Sequence, residues 1–436
     1  MNVRNLIIAS VLFATPGIGA ADTIPDTWSY RECVDYAYSN NISLKKQLLT
    51  QQSGIINTEA ANAEWLPTLN FATTHGYTNY AKEGSNSYTG TYGLNASWNV
   101  WDGGRRTSNI DLNKVQNRID SYSVEAVRNN LETTILKYYL NILYNREAVT
   151  IAENALELSK AQLDRATELM NVGKLSRVDY SQFESQYLSD NSSLVTARGQ
   201  LQSSLTDLKQ MLQLSLDTRF ELDDFIPSDD IINVESLPDM LQVYDTALNW
   251  LPEIINGQLK SQLQDYNIKI ARSGYMPTIS LNAGIGTGTN SSDPSKWGEQ
   301  MGNKLNEQVS VTLSVPIIDQ KSASTKTRLA QIDKLNADLD YRQLQIDLSK
   351  TIESLFVDAN NYIAQYNSGK MQVQSAALTE ELTTEKFNLG LVNTVELLTA
   401  HTNLLSARMQ LLQSKYLAIL SIKMINFYQH NLITLP

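Results

Sequence analysis

Between Tyr88 and Val100 the chain alternates with a period of two. Tyr88, Tyr92, Leu94, Ala96, Trp98 and Val100 hold the even positions, and Thr89, Thr91, Gly93, Asn95, Ser97 and Asn99 the odd ones. This predicts a strand with one apolar and one polar face. Ile279, Leu281, Ala283 and Ile285 alternate in the same way with Thr278, Ser280, Asn282 and Gly284, as do Val309, Val311, Leu313 and Val315 with Gln308, Ser310, Thr312 and Ser314. A fourth strand keeps the phase at Leu69, Phe71 and Tyr77, with Thr73 and His75 blurring it. Each run has the length a tilted strand needs to cross a bilayer, about nine to eleven residues. Tyr88, Tyr92, Trp98 and Trp101 fall towards the strand ends, where interfacial aromatics belong.

Elsewhere the apolar period is that of a helix. Leu329, Ile332, Leu335 and Leu339, then Leu348, Ile352 and Leu355, recur three or four apart, with Lys, Gln, Asp and Asn between them. Residues 103–170 and 320–387 contain no proline. At 1.5 Å per residue each is a rod of ~100 Å, longer than any globular domain is wide. Such rods must bury their stripes against one another as a bundle or coiled coil.

The chain is duplicated. Trp65-Leu66-Pro67-Thr68-Leu69 returns as Tyr275-Met276-Pro277-Thr278-Ile279, and Val34-Asp35-Tyr36-Ala37 as Tyr244-Asp245-Thr246-Ala247, both at an offset of 210. After the hairpins the offset is 217: Asp102 matches Asp319, Asn171-Val172-Gly173 matches Asn388-Leu389-Gly390, and Val178-Asp179 matches Val395-Glu396. The seven extra residues lie between Pro277 and Asp319, and the turn-forming stretch Gly286 to Ser295 is the expected place. From the Asp to the Asn-x-Gly turn the distance is 69 residues in both halves.

The predicted order is a signal peptide over 1–21, a first helical segment over 22–66, a hairpin over 67–102, and long helices over 103–215 with a tip turn near 171–175. A connector follows over 216–238. The second repeat then has a helix over 239–276, a hairpin over 277–319, long helices over 320–430 with a tip turn near 388–392, and a tail over 431–436. The signal reading rests on Arg4, the apolar run Leu6 to Ala14 and the small residues Gly19-Ala20-Ala21, with cleavage after Ala20 or Ala21. The greasiest later run, Leu417 to Ile422, is stopped by Lys423, so no transmembrane helix is expected. An exported chain of this kind is either soluble or enters a membrane as a β-barrel.

Composition narrows the picture further. Twenty Gly and ten Pro in 436 residues suit long helices. A net charge of -11 without a basic patch argues against nucleic acid. The lone Cys33 cannot form an intramolecular disulfide and reads as a small buried residue of the first helix. The three histidines, His75, His401 and His430, are far apart and lack ligand or nucleophile spacing. No phosphate loop, zinc spacing or nucleophile elbow is present, so neither enzyme chemistry nor a cofactor or metal is expected. The carboxylates Asp223-Asp224 and Asp229-Asp230 in the connector read as a solvated loop.

A soluble β-sandwich face shows the same alternation, but four strands and their helices offer no second sheet to cover the apolar side. Four strands also cannot close a barrel alone, and open edges are not tolerated in lipid. The chain must pool strands with copies of itself. Two copies give eight strands and a filled interior, and three give twelve and a lumen. The small polar residues of the inward face suit the lumen.

The duplicated (Trp/Tyr)-x-Pro-Thr start of each hairpin, the exits Val100-Trp101-Asp102-Gly103-Gly104 and Pro316-Ile317-Ile318-Asp319, and the Asn-x-Gly turns followed by Val-Asp or Val-Glu resemble the TolC family of trimeric outer-membrane efflux and secretion ducts. The resemblance covers nearly the whole chain. It implies an α+β membrane protein in which four transmembrane strands per chain complete a homotrimeric twelve-stranded barrel, continued by a long antiparallel α-helical coiled-coil barrel through the periplasm. It further implies the outer membrane of a Gram-negative bacterium, contact with its lipid, and engagement of the tip by a periplasmic adaptor protein and an inner-membrane transporter. Small-molecule efflux and type I protein secretion both use ducts of this kind.

The resemblance also points to tip residues. Glu396 stands where family members carry an acid that narrows the tip, and Thr399 where they carry a second. Asp179 matches an acid that ties the tip shut, its usual tyrosine partner aligns with Phe387, and the expected arginine with Val392. Lys174 or Arg177 is then the available alternative partner. Asn171, Gly173, Asn388 and Gly390 form the turns an adaptor would meet. Asp179 and Glu396 also fit helix N-terminal boxes after Ser176 and Asn393, so capping is an equal reading of both acids. A passive duct is the expectation overall; the alternative is a periplasmic coiled-coil scaffold or adaptor without a pore.

Overall fold

In the computed structural model, residues 27–81, 85–223, 225–227, 232 and 237–435 are described. The signal-peptide segment lies outside them, as do Asp224, Asp229 and Asp230 of the connector. Ser29 opens helix α1 (Tyr30–Asn40) through a complete capping box with Glu32, and Asn41 caps α2 (Ile42–Ala63) with its side chain. The chain then runs through strands β1 (Thr68–Tyr80) and β2 (Ser85–Trp101) into α3 (Arg105–Asn171) and returns as α4 (Arg177–Met211). After the connector the plan repeats: α5 (Met240–Trp250), α6 (Pro252–Arg272), β3 (Thr278–Asn290), α7 (Trp297–Asn303), β4 (Asn306–Ser314), α8 (Ser322–Asn388) and α9 (Thr394–Tyr428). The repeats are equal in their rods: α3 and α8 each have 67 residues, α4 and α9 each 35.

The four strands form one antiparallel sheet in the order β1-β2-β3-β4. Register carries the alternation across it. Leu69 pairs with Ala96, Ala96 with Ala283 and Ala283 with Val309; Phe71, Leu94 and Ile285 form the next apolar row. On the opposite face Thr68, Ser97, Asn282 and Ser310 form one row, and Asn70, Asn95, Gly284 and Gln308 another. The apolar face is bare in the single chain: Leu69, Phe71, Val309, Val311 and Leu313 are all more than 60% exposed. Among the described residues no helix is long and apolar enough to cross a membrane.

Three details depart from the alternation pattern. Gly286 to Asn290, expected as turn, complete β3 instead, because the small residues Gly286 and Gly288 sit opposite Gly93 and Thr91 in regular register. The longer connection is residues 291–305 and contains α7. A bulge between Asn99 and Trp101 sets Trp101 opposite Ile279, on the face already occupied by Trp98 opposite Leu281. The interruption at Thr73 and His75 is internally satisfied: His75 lies opposite Gly90, with Nδ1 2.6 Å from the Tyr88 hydroxyl and Nε2 3.1 Å from Thr73 Oγ1.

The main core lies where both repeats meet, halfway along the helices. Ile135, Leu136, Tyr139, Ile142 and Leu143 of α3 pack there with Ile352 and Ile363 of α8, Ala418, Ile419 and Ile425 of α9, and the short helices α1 and α5. Cys33 is fully buried in it. The connector docks on this core: Trp28 bridges to Leu222, the Tyr139 hydroxyl donates to Asp223, and Arg146 donates to the carbonyls of Leu222 and Asp223.

Candidate functional site

The far end of the two helical hairpins, α3–α4 and α8–α9, carries the tip turns. Asn171 and Asn388 end the descending helices, and Gly173 and Gly390 follow in left-handed conformation at φ +74° and +73°. Glycine has no steric penalty there, which explains the Asn-x-Gly repeat. No atom lies within 4 Å of where a Cβ would stand on either glycine, so the constraint is the backbone and not crowding. All four residues are exposed, a presentation that leaves both turns open to a partner.

The ascending helices start with side-chain caps. Ser176 Oγ accepts from the Asp179 amide at 3.1 Å and donates to its carboxylate at 2.6 Å. Asn393 Oδ1 accepts from the Glu396 amide at 2.8 Å. The acids then differ. Asp179 is engaged by its own cap, whereas among the described residues the exposed Glu396 carboxylate has no hydrogen-bond or ion-pair partner. Thr399, one turn on, is also exposed and donates to the Val395 carbonyl at 2.7 Å. Lys174 and Arg177 are exposed, and among the described residues neither pairs with Asp179 or any other acid.

Phe387 faces inward. Its ring meets that of Phe183 edge-on at 5.7 Å, and Ala166, Phe183 and Leu397 form the buried centre of a small core with Leu163, Leu175, Tyr180 and Leu398 around it. The cluster joins α3 and α4 of the first repeat to α8 and α9 of the second. An aromatic without a hydroxyl is suited to it, since no buried oxygen is left to satisfy. Val392 is half-buried in the second turn.

Above this core the seam between α4 and α9 turns polar. Gln182 and Gln186 of α4 line a groove with Leu398, Thr399 and Thr402 of α9. Spacing on α4 puts Asp190 on the same face, and it is buried against His401 of α9. Local sequence gave no signal for that pair, because the two residues are 211 positions apart and meet only through the packing of the two hairpins.

At the opposite end, the aromatics divide between two levels. Tyr88 and Tyr92 stand near the outer loops, where His75 stacks on Tyr88 and Trp297 of α7 meets Tyr92 edge-on. Trp98 and Trp101 stand at the helix end of the sheet, and Trp98 Nε1 donates to the Trp65 carbonyl at 2.9 Å. Among the described residues there is no cluster of three or more potential metal ligands.

A sequence profile described as outer membrane efflux protein matches residues 34–213 and 243–421, one segment on each side of the connector. The chain is 22% identical over 390 residues to the outer membrane protein TolC of Escherichia coli, covering 86% of this chain and 77% of that protein. Its fold is similar to the CmeC outer membrane channel of Campylobacter jejuni (TM-score 0.76, 19% identity, 94% of this chain and 91% of that one). It is similar also to the outer membrane protein VceC of Vibrio cholerae (TM-score 0.78, 14% identity, 91% and 95%).

Proposed function

The chain belongs to the outer membrane efflux protein family, and from that premise we propose that it is the outer-membrane exit duct of a tripartite efflux pump or type I secretion system, conducting cargo passively. The observation that carries this reading is the four-stranded sheet with one bare apolar face, one polar face and two free edges, mounted on paired 67-residue rods. Lipid covers the apolar face, and neighbouring copies take the edges β1 and β4. A homotrimer places twelve strands around a lumen lined by rows such as Thr68, Ser97, Asn282 and Ser310.

A second surface supports the same assembly. Leu329, Ile332, Leu335, Leu339 and Ile346 of α8 are each more than half exposed in the single chain. At about 25 cal/mol per Å² such a stripe favours burial against another copy. The helices of three copies then continue the barrel as a tunnel across the periplasm.

At the tip, Glu396 and Thr399 narrow the passage, with Asp179, Phe387, Val392, Lys174 and Arg177 around it. The turns at Asn171, Gly173, Asn388 and Gly390 meet a periplasmic adaptor, and an inner-membrane transporter supplies the driving force. Opening is a change between two helix packings at the tip and involves no bond chemistry.

The test is fractionation followed by reconstitution. The protein should stay in the outer membrane through salt washing, run as a trimer in detergent and conduct ions in a planar bilayer. Release by salt alone, with no conductance, would instead match a periplasmic scaffold and end the duct reading.

A further inference from the structure

His401 and Asp190 form a buried charge-bearing pair between the two hairpins. His401 Nε2 lies 3.6 Å from Asp190 Oδ2, and the side chains are 4% and 3% exposed. Asp190 Oδ1 accepts from Gln186 Nε2 at 2.9 Å. Among the described residues Asp190 Oδ2 and both ring nitrogens of His401 have no hydrogen-bond partner. Among the described residues no Lys or Arg of α3, α4, α8 or α9 comes within ion-pair distance of Asp190, and no second Asp or Glu within that distance of His401. The charge facing His401 is therefore Asp190 from α4, and α3 and α8 add none at that range.

The position matters as much as the chemistry. Asp190 belongs to the α3–α4 hairpin and His401 to the α8–α9 hairpin, so the pair spans a seam between separate units. Towards the tip the seam is closed by Phe183, Phe387 and Leu397. Away from it lies a cleft of about 310 Å³ lined by Ala148, Ala152, Ala155, Asp190, Leu405 and Met409. On that side Asp190 borders open space between α3, α4 and α9.

A buried carboxylate with one amide donor is costly unless a cation faces it. Protonated His401 is that cation: its Nε2 stands 3.6 Å from Asp190 Oδ2, within ion-pair reach in low-dielectric surroundings. Neutral His401 offers at most one ordinary N–H. Imidazole is the side chain that changes charge between about pH 5 and pH 8.

We propose that His401 and Asp190 form a proton-operated latch between α4 and α9, which holds the two hairpins together when His401 is protonated and loosens the seam when it is not. As a gate on conduction the latch rests on the duct reading above; as a pH-dependent separation of α4 and α9 it does not. Release of a single proton bounds the effect: between about pH 5.5 and 7.5 it can move a two-state equilibrium by no more than about a hundredfold.

The test uses the full-length trimer, with two readouts. Conductance in planar bilayers is compared at about pH 5.5 and 7.5 for wild type, His401→Gln, Asp190→Asn and the double variant. In parallel, spin labels at Ser189→Cys and Asn403→Cys, exposed positions on either side of the same groove, report the α4–α9 distance. Wild type should conduct severalfold less at the acid pH and show the shorter distance there. Each variant should lose that pH response, so a poorly folding variant leaves two others to decide. A His401→Gln trimer that folds and keeps the wild-type pH response, or a wild-type label distance that does not move with pH, overturns the latch. If the distance moves but no protein conducts, the latch stands and the duct reading falls.

Discussion

The guanidinium of Arg106 lies 3.8 Å over the ring of Trp65, joining the first residues of α3 to the segment that leads into β1. Its Nη1 donates to the Glu64 carbonyl at 2.9 Å, its Nη2 reaches the Val100 carbonyl at 3.4 Å, and its own amide is capped by Asp102 at 3.0 Å. The first hairpin is thereby clamped to its helix where sheet meets rod. At the matching position of the second repeat stands Ala323, its amide likewise capped by Asp319 at 2.7 Å but with no side chain to reach Tyr275, and with Gly274 packed against its Cβ.

Arg106→Ala should therefore destabilise the detergent-solubilised trimer by about 2–4 kcal/mol, from a desolvated cation–π contact and the stranded carbonyls. Arg106→Lys should recover only part, since an ammonium keeps the charge and loses the fork. Ala323→Arg should not add stability, because Ala323 is already buried at 4% exposure and a long side chain there must displace its neighbours. Thermal unfolding of the three variants checks the order; an Arg106→Ala trimer as stable as wild type would refute the clamp.

The Phe183–Phe387 contact ties the two hairpins together near the tip turns. Phe183 is 2% exposed, and removing its ring should cost about 3–5 kcal/mol of local packing. The loss falls where the two hairpins meet, so Phe183→Ala should raise resting conductance and speed proteolysis at the tip turns. Phe387→Tyr brings an oxygen towards this apolar core and should act in the same direction, more weakly. Unchanged tip proteolysis in Phe183→Ala would show that this core does not hold the hairpins together.

What could be read from the sequence and what could not divide along a physical line. The rods and strands carry their own periods, and the duplication repeats them, so the α+β class and the sheet with two unlike faces were legible. The end of β3, the bulge before Trp101 and helix α7 were not, because each depends on what lies across the sheet. At the tip, capping by Ser176 and Asn393 is local and was visible. That the Glu396 carboxylate has no partner among the described residues while Asp179 is held by Ser176 depends on rotamers. The Asp190–His401 and Arg106–Trp65 contacts join elements far apart in sequence, and no local pattern announces them.

Cys33 should be chemically silent. Burial in the main core pushes its thiol far above the ordinary range, with nearby Glu32 adding to the shift. Alkylating reagents should leave it unmodified in the native trimer and react after denaturation. Stoichiometric labelling under native conditions would mean that the main core opens readily.

Glu132 gives a pH dependence of definite sign. Burial holds its carboxyl above the usual Glu range, against the hydrogen bond from Tyr38 at 3.2 Å. The folded chain then binds this proton more tightly than the unfolded one. Its contribution to stability is greatest in acid, declines as pH rises from the ordinary Glu value through the raised one, and is constant above. Glu132→Gln keeps an acceptor for Tyr38 and removes the buried charge. It should raise the melting temperature at neutral pH and leave it unchanged in acid; a loss at neutral pH would show that the ionised form is the favoured one.

Asp179 and Glu396 are the two acids beside the tip turns. Both are capped helix starts, and a first-turn carboxylate favours the helix dipole wherever its charge points. Capping alone accounts fully for Asp179, whose carboxylate takes the Ser176 hydroxyl. It does not account for the Glu396 carboxylate, since the cap there is made by Asn393 and the Glu396 amide. In a trimer three such free acids would surround the axis, with Thr399 adding no charge, so the ring is weaker than one with two acids per chain. Glu396→Gln retains the cap and should reduce cation preference and block by multivalent cations, while Asp179→Asn should change stability of the tip more than selectivity. Reversal potentials in asymmetric salt distinguish the two, and an unaltered reversal potential in Glu396→Gln would reduce Glu396 to a capping residue.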